Sequence, residues 1–452
     1  MIRKLLRFFA VFCLSLIILF LTFFAISIRC VDDRPFRETD YFQKTVTALS
    51  EKIKSTPPSS KNPLFVGAAK AGLTPPIGLP LAGYGERHGA ASLGVHDSLY
   101  VRVIALKSGD QQVFIVGYDA LLLHPPVRQK LEIKMKDQLN INPEQVLYTA
   151  THTHSGPGGW GTGWVEEQFA GPPDERVSRI FIDSTIVAMK RATRNQQAAT
   201  YRAGSVQAPR FIRNRLVGEK GDVDAELVYL LFENNGQALA CFTTFSAHAT
   251  VLSAKNKLFS GDYPGYLLRK LESQLGGVAL FAAAGLGSHS YRGEGEKFEK
   301  AKFIGEGLAD SIICNLSKSK RSEEAALSFL RIPFCPARMQ VRLTEKITLA
   351  PWLATKLLKA YDTYIQFLAI DDFIICGCPG EFSGELALDV KQEAARLGKK
   401  VTITSFNGCY IGYLTPSKYY SMNEYETRLM SWFGPYTGDY VTEIVKICIA
   451  RI

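Results

Sequence analysis

Residues 151–159 read THTHSGPGG and directly follow the apolar run Val146–Ala150. The run is rich in β-branched and aromatic side chains, which favours a buried strand, whereas the Gly- and Pro-rich end of the nonapeptide predicts a loop. His152 and His154 therefore lie where a strand passes into a loop. Residues i and i+2 of an extended chain point to the same side, so both rings are expected to face one common space.

Two imidazoles that converge at the end of a strand suit a metal ion, or one metal ligand beside one acid or base. The alternative is a pair of solvated loop histidines. The spacing of the pair, beside a glycine loop, favours a functional site over that alternative.

The remaining pattern mixes strands and helices. A Gly109-Asp110 turn predicts a hairpin of strands 100–106 and 113–118. Apolar periodicity predicts helices over 127–139, Glu175–Arg194, 266–275, 297–316 and 385–397, and strands over 226–232, 240–246, Val278–Ala283, 373–378 and 401–405. This order predicts an α/β fold in which mixed β-sheets are layered with helices in a single large catalytic domain.

The N-terminus has the composition of a membrane segment. Residues 8–28 carry no charge and follow Arg3, Lys4 and Arg7, and the stretch is long enough to cross a bilayer as one transmembrane helix. Residues 25–30 lack a small-residue cleavage motif, so an uncleaved anchor is favoured, with a cleaved signal and secretion as the alternative. The basic flank places the N-terminus in the cytoplasm and the remaining chain outside it, in a periplasmic, extracellular or lumenal space.

Composition completes the domain organisation. We expect a membrane anchor or signal over residues 1–30, a linker over 31–63 with a short amphipathic helix at 41–54, and the catalytic domain over 64–452. The 452 residues carry a net charge of +10 that is spread along the chain. A diffuse charge without a nucleic-acid motif suits a membrane surface as partner and argues against nucleic acid. Nothing in the sequence indicates an oligomeric state.

Further polar residues stand at predicted strand ends. His248 closes an apolar strand, and a histidine bonded to a neighbouring carbonyl is as good an explanation as a ligand. Glu381 follows a Pro-Gly turn before a helix, where an ordinary residue near a helix N-terminus is the simpler interpretation. Tyr410 and Tyr413 follow another strand, and core packing is the default for both.

The nonapeptide resembles the signature of the neutral/alkaline ceramidase family. Weaker matching segments occur in the order expected for that family, and together they cover roughly residues 64–445: residues 67–74 with Gly83-Tyr84, 94–97, Asn214-Arg215, 260–262, 379–382, Tyr425-Glu426 and Tyr436.

The resemblance implies a zinc enzyme. Its ligands would be His152, His248, Glu381 and Tyr413, with water in an open position, as suits catalytic zinc. The implied reaction is attack of an activated water on the amide carbonyl of a lipid such as ceramide, which gives a fatty acid and sphingosine.

The resemblance also assigns residues to the substrate. His154 would stabilise the oxyanion, Arg215 and Tyr425 would contact the polar head, and the backbone at Gly83 would form part of the pocket wall. The family's Gly-Asp-x-Ser-Pro segment corresponds here to residues 287–291, which keep Ser290 as a catalytic candidate and place His289 as a new contact.

The leading interpretation is thus a membrane-anchored zinc amidohydrolase of a lipid amide. One alternative keeps the enzyme class with another N-acyl substrate. The other is a binding protein that has kept the fold and lost the metal.

Overall fold

The computed structural model describes residues 2–452. The helices within that range are α1 (Ile2–Ser27), α2 (Asp40–Ser55), α3 (Pro125–Leu139), α4 (Trp164–Ala170), α5 (Glu175–Arg194), α6 (Asp262–Leu275), α7 (Lys297–Asn315), α8 (Pro351–Leu358), α9 (Gly384–Arg396) and α10 (Thr437–Ile449). A single π-helical turn spans Tyr425–Leu429.

The strands are β1 (Ile28–Cys30), β2 (Asn62–Gly72), β3 (Gly94–Val95), β4 (Tyr100–Ser108), β5 (Gln111–Tyr118), β6 (Val146–Ala150), β7 (Gln197–Ala198), β8 (Thr200–Gln207), β9 (Ile212–Asn214), β10 (Glu226–Asn234), β11 (Gln237–Phe245), β12 (Leu258–Phe259), β13 (Val278–Ala283), β14 (His289–Tyr291), β15 (Glu324–Ala325), β16 (Leu327–Pro333), β17 (Ile347–Leu349), β18 (Tyr364–Ile370), β19 (Phe373–Gly377), β20 (Glu381–Phe382), β21 (Lys400–Thr404) and β22 (Tyr413–Leu414).

Three larger sheets organise the chain. The first has the order β15-β2-β4-β5-β6 with β7 beside β2, the second β13-β11-β10-β8, and the third β16-β18-β19-β21. Their inner faces share one apolar core, to which they contribute Ile104, Phe242 and Ile375 respectively. Because strand side chains alternate, Val103 and Ala105 of β4 face the opposite way, into the core beneath the helices.

Helices cover the outer faces of these sheets. α3 and α5 lie on the first sheet, α6 and α7 on the second, and α2, α9 and α10 on the third. The observed architecture is therefore mixed sheets layered with helices, as the sequence predicts.

Each sheet contains one parallel pair of strands, and these pairs set the position of the site. β5 pairs with β6, β11 with β13, and β19 with β21, all in parallel. In α/β sheets, sites form beyond the carboxyl ends of parallel strands. The polar residues that follow β6, β11 and β19 are brought together in this way.

The N-terminal region is tied to the body. α1 is the one described helix that is long and apolar enough to cross a membrane. It leads into β1, which pairs with β17. Within the segment predicted as a linker, α2 buries Phe42 and Leu49 in the core of the third sheet, and the Tyr440 hydroxyl donates to Thr45 at 2.6 Å. The boundary between linker and catalytic domain remains a prediction.

The candidate active site

The site lies where the three parallel strand pairs end. His152 follows β6, His248 follows β11, and Glu381 follows β19 and opens β20. β20 runs parallel to β22 in a register that places Glu381 opposite Tyr413. Four residues that are far apart in sequence thus meet at one point.

The side chains meet through one atom each. The Nε2 of His248 lies 2.8 Å from Oε2 of Glu381 and 3.2 Å from the hydroxyl oxygen of Tyr413. The Nε2 of His152 lies 3.7 Å from the same Oε2 and 3.1 Å from Nε2 of His154. The ligand atoms of the three histidines lie within 4.8 Å of one another.

Backbone carbonyls fix the tautomers of two rings. The Nδ1 of His152 lies 2.9 Å from the Leu121 carbonyl oxygen, and the Nδ1 of His248 lies 2.9 Å from the Leu286 carbonyl oxygen. A carbonyl only accepts, so in each ring Nδ1 carries the proton and Nε2 of the neutral ring is a lone pair. This is the arrangement in which histidines ligate metals.

A cation would resolve the contact between His248 and Glu381. A neutral His248 presents a lone pair to a carboxylate oxygen at 2.8 Å, which is a contact between two acceptors. A protonated ring would remove the conflict, but burial lowers the pKa of His248 well below its usual range. A metal ion among the Nε2 atoms and the carboxylate satisfies all of them, so the residues fit a metal centre.

Burial acts on the other two rings in the same direction. Desolvation lowers the pKa of His152 to about 4, against the opposing influence of Glu381, and lowers the pKa of His154 well below its usual range. Neutral imidazoles are the form that binds a metal. The cluster is thus prepared for a cation at neutral pH.

The histidines converge for a reason other than the predicted one. His152 has a φ of 57°, so the chain is not extended at this residue. The prediction that an extended chain turns both histidine side chains to the same side is therefore wrong. The rings of His152 and His154 nevertheless meet at 4.7 Å. His152 stacks on Phe406, which has a φ of 64°, at 4.1 Å. Left-handed non-glycine residues store strain and cluster at functional sites.

Two neighbouring side chains position the oxygen atoms of Glu381 and Tyr413. The Tyr410 hydroxyl donates to Oε1 of Glu381 at 2.6 Å, on the side away from His248. Arg215 donates from Nη2 to the Tyr413 hydroxyl oxygen at 2.9 Å and pairs through Nε with Glu426 at 2.7 Å. Tyr410 and Glu426 were missed as functional residues by the sequence reasoning, which treated Tyr410 as core packing.

Gly83 lies directly against His154. A β-carbon at Gly83 would lie 2.7 Å from both Cα and Cβ of His154, and the φ of Gly83 is 125°. A side chain at this position would displace the imidazole. Gly83 therefore lies against the cluster and lines the cavity, and its role toward a substrate stays a prediction.

A cavity of about 840 Å³ opens above the cluster. It is large enough for a lipid-sized ligand. The residues that line it include the four metal-ligand candidates, His154, Gly83, Arg215, Ser290 and Tyr425, together with the apolar or aromatic side chains Leu121, Leu122, Trp160, Val165, Phe169, Leu358, Met430 and Trp432.

All nine residues predicted for the site thus line one cavity, but His289 does not join them. Both ring nitrogens of His289 face backbone carbonyls, at 3.1 Å from Gly285 and 3.2 Å from Asp222. Its ring also approaches Gly384, where an added β-carbon would lie 1.7 Å from the ring. Over residues 2–452, His289 is outside the cavity lining, and the prediction of a new substrate contact there is wrong.

Comparison with known proteins finds a matching family and a matching fold. Residues 64–286 match the family "Neutral/alkaline non-lysosomal ceramidase, N-terminal". The neutral ceramidase of Pseudomonas aeruginosa is 26% identical over 218 residues, covering 44% of this chain and 32% of the relative. The neutral ceramidase of Oryza sativa is 27% identical over 240 residues, covering 47% and 29% respectively. The matched segments thus span about a third of these relatives' length.

Solved structures share the fold over a longer stretch. The crystal structure of neutral ceramidase from Pseudomonas aeruginosa has a TM-score of 0.74 at 21% identity, covering 86% of this chain and 75% of that one. A ceramidase complexed with C2 has a TM-score of 0.72 at 20% identity, with the same coverage. The family resemblance and the α/β fold predicted from the sequence are confirmed.

Proposed function

We propose that this chain, which carries a neutral/alkaline ceramidase domain, is a zinc-dependent hydrolase of the amide bond of a lipid such as ceramide. The products would be a fatty acid and sphingosine. The observation that carries the proposal is the contact of 2.8 Å between Nε2 of His248 and Oε2 of Glu381, in which two acceptors face each other and a bound cation would satisfy both.

The donor set supports zinc as that cation. His152, His248, Glu381 and Tyr413 would hold it, and two histidines with a carboxylate are typical of catalytic zinc sites. When bound, zinc would supply a Lewis acid and would lower the pKa of a coordinated water from about 15.7 to about 7. The hydrogen bonds that the two rings donate to the Leu121 and Leu286 carbonyls orient the ligands.

Tyr413 depends on Arg215 for this role. Burial raises the pKa of Tyr413 well above its usual range, which favours the neutral phenol. The Arg215 guanidinium donates to the phenol oxygen at 2.9 Å and so opposes that shift. Arg215 therefore positions Tyr413 and stabilises negative charge on its oxygen, in addition to its proposed contact with the polar head of the substrate.

His154 is placed to act on the reacting carbonyl. Since Nε2 of His152 is a lone pair, Nε2 of His154 is the donor in their contact at 3.1 Å. That N–H can turn to a substrate oxygen that gains negative charge, as an oxyanion donor does. Its position inside the three-histidine cluster also permits ligation, and metal retention in a His154 variant separates the two roles.

The cavity suits a long-chain amide. Apolar side chains such as Leu122, Phe169 and Trp432 line it around the polar cluster, which matches a substrate with hydrocarbon chains around one amide. Tyr425 lies at the opening, 41% exposed, with its ring 5.8 Å from that of Tyr413. We assign Tyr425 and Arg215 to the head group, and Ser290 on β14 to the reacting end.

A second candidate keeps the chemistry and changes the substrate. The segment at residues 287–291 retains Ser290, while Ser288 and Tyr291 stand where the family resemblance leads one to expect Asp and Pro. The Ser288 hydroxyl oxygen instead accepts hydrogen bonds from the Ser383 hydroxyl at 2.9 Å and from the Gly384 backbone N–H at 3.1 Å. Because this segment differs from the family pattern, N-acyl substrates other than ceramide should be tested alongside ceramide.

The cellular placement follows from α1. We propose an anchor that holds the catalytic domain on the membrane outside the cytoplasm, with secretion after cleavage as the alternative. Full-length chain should stay in the membrane fraction with its body accessible from outside. A mature N-terminus near Cys30 or later would instead show a cleaved signal.

The proposal is tested by hydrolysis of a fluorescent ceramide beside a panel of other N-acyl lipids. We expect chelator-sensitive release of fatty acid that zinc restores. Turnover of another N-acyl lipid in place of ceramide would select the second candidate. Binding of these lipids without turnover, by protein loaded with zinc, would contradict both and identify a binding protein.

A further inference from the structure

The last turn of α1 is fixed against the start of α8. Ser27 accepts a hydrogen bond of 2.7 Å from the backbone N–H of Ala350, and Trp352 donates from its indole to the Ile26 carbonyl at 3.1 Å. The rings of Phe23 and Trp352 are 6.3 Å apart. The pairing of β1 with β17 adds three residue pairs to this joint.

α8 connects this joint to the cavity. It begins at Pro351, beside α1, and is about 12 Å long, since a helix rises 1.5 Å per residue. Its last residue, Leu358, lines the cavity, as does Val165 of the neighbouring α4. The mouth of the cavity therefore lies about one short helix from the point where α1 would leave a bilayer.

Apolar side chains are exposed around this mouth. We call these side chains the entrance surface. They lie on α4, on the β17 hairpin (residues 342–348), on α8 and on the π-helical turn: Trp164 (71% exposed), Leu343, Ile347, Trp352 (47% exposed), Leu357 and Leu429 (63% exposed). Arg428 donates to the Leu343 carbonyl at 3.3 Å, which joins the π-helical turn to the β17 hairpin. Exposed apolar patches of this kind mark interaction sites.

We propose that the entrance surface lies in the same bilayer that α1 spans, so that a lipid substrate passes from the membrane into the cavity without crossing water. The occupant is the membrane because α1 ends within this surface. Tryptophans are enriched at membrane–water interfaces, and Lys346 and Lys356 are exposed beside them, where they can meet anionic head groups. This inference rests on the proposed anchoring of α1 in the membrane, and on the proposed enzymatic activity only for the identity of the lipid that enters.

The distribution of tryptophan gives a test that needs no catalysis. The chain has four: Trp160 and Trp432 are buried, and Trp164 and Trp352 are on the entrance surface. Full-length protein is reconstituted in vesicles that carry a nitroxide on the acyl chain, and tryptophan emission is measured. We expect the lipid nitroxide to quench the tryptophan emission of the wild type, and to quench less emission in Trp164→Phe. Trp164 is distant in sequence from α1, so the quenching of its emission reports the position of the entrance surface itself.

The matched control places tryptophan just beyond the far end of α9. Leu397, 41% exposed, follows the end of α9, a helix that starts beside the site and runs away from it for about 20 Å. Leu397→Trp should add emission that the lipid nitroxide leaves unchanged and aqueous acrylamide quenches. Emission of Trp164 that responds to acrylamide and not to the lipid nitroxide would overturn the proposal.

The rate of ceramide hydrolysis gives a second test of the proposal. Trp164→Glu should lower hydrolysis of long-chain ceramide held in the vesicles by roughly tenfold, while hydrolysis in detergent micelles is unchanged. Leu397→Glu should change neither. Equal loss in vesicles and micelles would contradict entry through this surface. Lipid quenching of Trp164 in a protein that hydrolyses no N-acyl lipid would retain the surface and reject the proposed function.

Discussion

Replacing Tyr410 by phenylalanine tests how the carboxylate of the site is held. The Tyr410 hydroxyl donates to Oε1 of Glu381 at 2.6 Å, while Oε2 faces His248. The variant keeps the ring, which packs on Trp432 with ring centroids 5.6 Å apart, so the perturbation is the loss of one hydrogen bond. The bond is buried and its acceptor is charged.

The magnitude follows from that geometry. A hydrogen bond to a charged group contributes about 1.5–3 kcal/mol, and outer partners of metal ligands typically alter metal affinity about 10–100-fold. We expect the zinc dissociation constant of Tyr410→Phe to rise within that range, because the free carboxylate oxygen makes Glu381 less well oriented. Turnover should recover at saturating zinc, since Tyr410 is a positioning residue.

The assay is competition for zinc against a chromophoric chelator, with Tyr440→Phe as the matched control. The Tyr440 hydroxyl is buried and bonded to Thr45 at 2.6 Å, in the core of the third sheet. Its loss should lower the unfolding midpoint and leave zinc affinity unchanged. Zinc affinity of Tyr410→Phe equal to that of the wild type would refute the assignment of Glu381 as an oriented ligand.

The remaining predictions concern the neighbours of this carboxylate. His154→Ala should keep zinc and lower turnover by roughly 10² to 10³, the scale for one oxyanion donor; loss of zinc on elemental analysis would make His154 a ligand. Gly83→Ala should reduce both turnover and thermal stability because its β-carbon would lie 2.7 Å from His154, whereas Gly78→Ala, at a φ of 96° with open space, should cost only the backbone strain of about 1–2 kcal/mol. The pKa of His152 falls from 6.5 to about 4 on folding, so metal-free protein should be stable above pH 6.5 and lose about 3 kcal/mol through this ring as the pH falls to 4. Urea denaturation of the wild type and of His152→Ala checks this. A difference in the free energy of unfolding between the two proteins that stays constant from pH 7 to 4 would contradict it.

The sequence predicted the elements with strong periodicity. The helix Glu175–Arg194 and the strands Val146–Ala150 and Val278–Ala283 have the predicted bounds, because apolar spacing and flanking turns agree there. Four of the longer strands, β2, β8, β16 and β18, were missed. Thr200–Gln207 is a partly exposed, polar strand, whose pairing with β10 supplies what its own pattern lacks.

Less of the site than of the fold could be predicted from the sequence. His152 and His154 stood out because two histidines flank a strand end, but the left-handed conformation of His152 depends on packing against Phe406 across the fold. Glu381 had an ordinary explanation near a helix N-terminus and needed the family resemblance to be chosen. Tyr410 lies three residues before Tyr413, and only the tertiary structure shows that its hydroxyl reaches Glu381 rather than the core.

The central claim is that residues at the ends of strands from three different sheets together hold one zinc ion. Elemental analysis of purified wild type, His152→Ala and His248→Ala tests it most directly, with thermal unfolding to show that each variant is folded. The account predicts about one zinc per chain in the wild type and loss of that zinc in both variants. Full zinc occupancy in the two folded variants would contradict it.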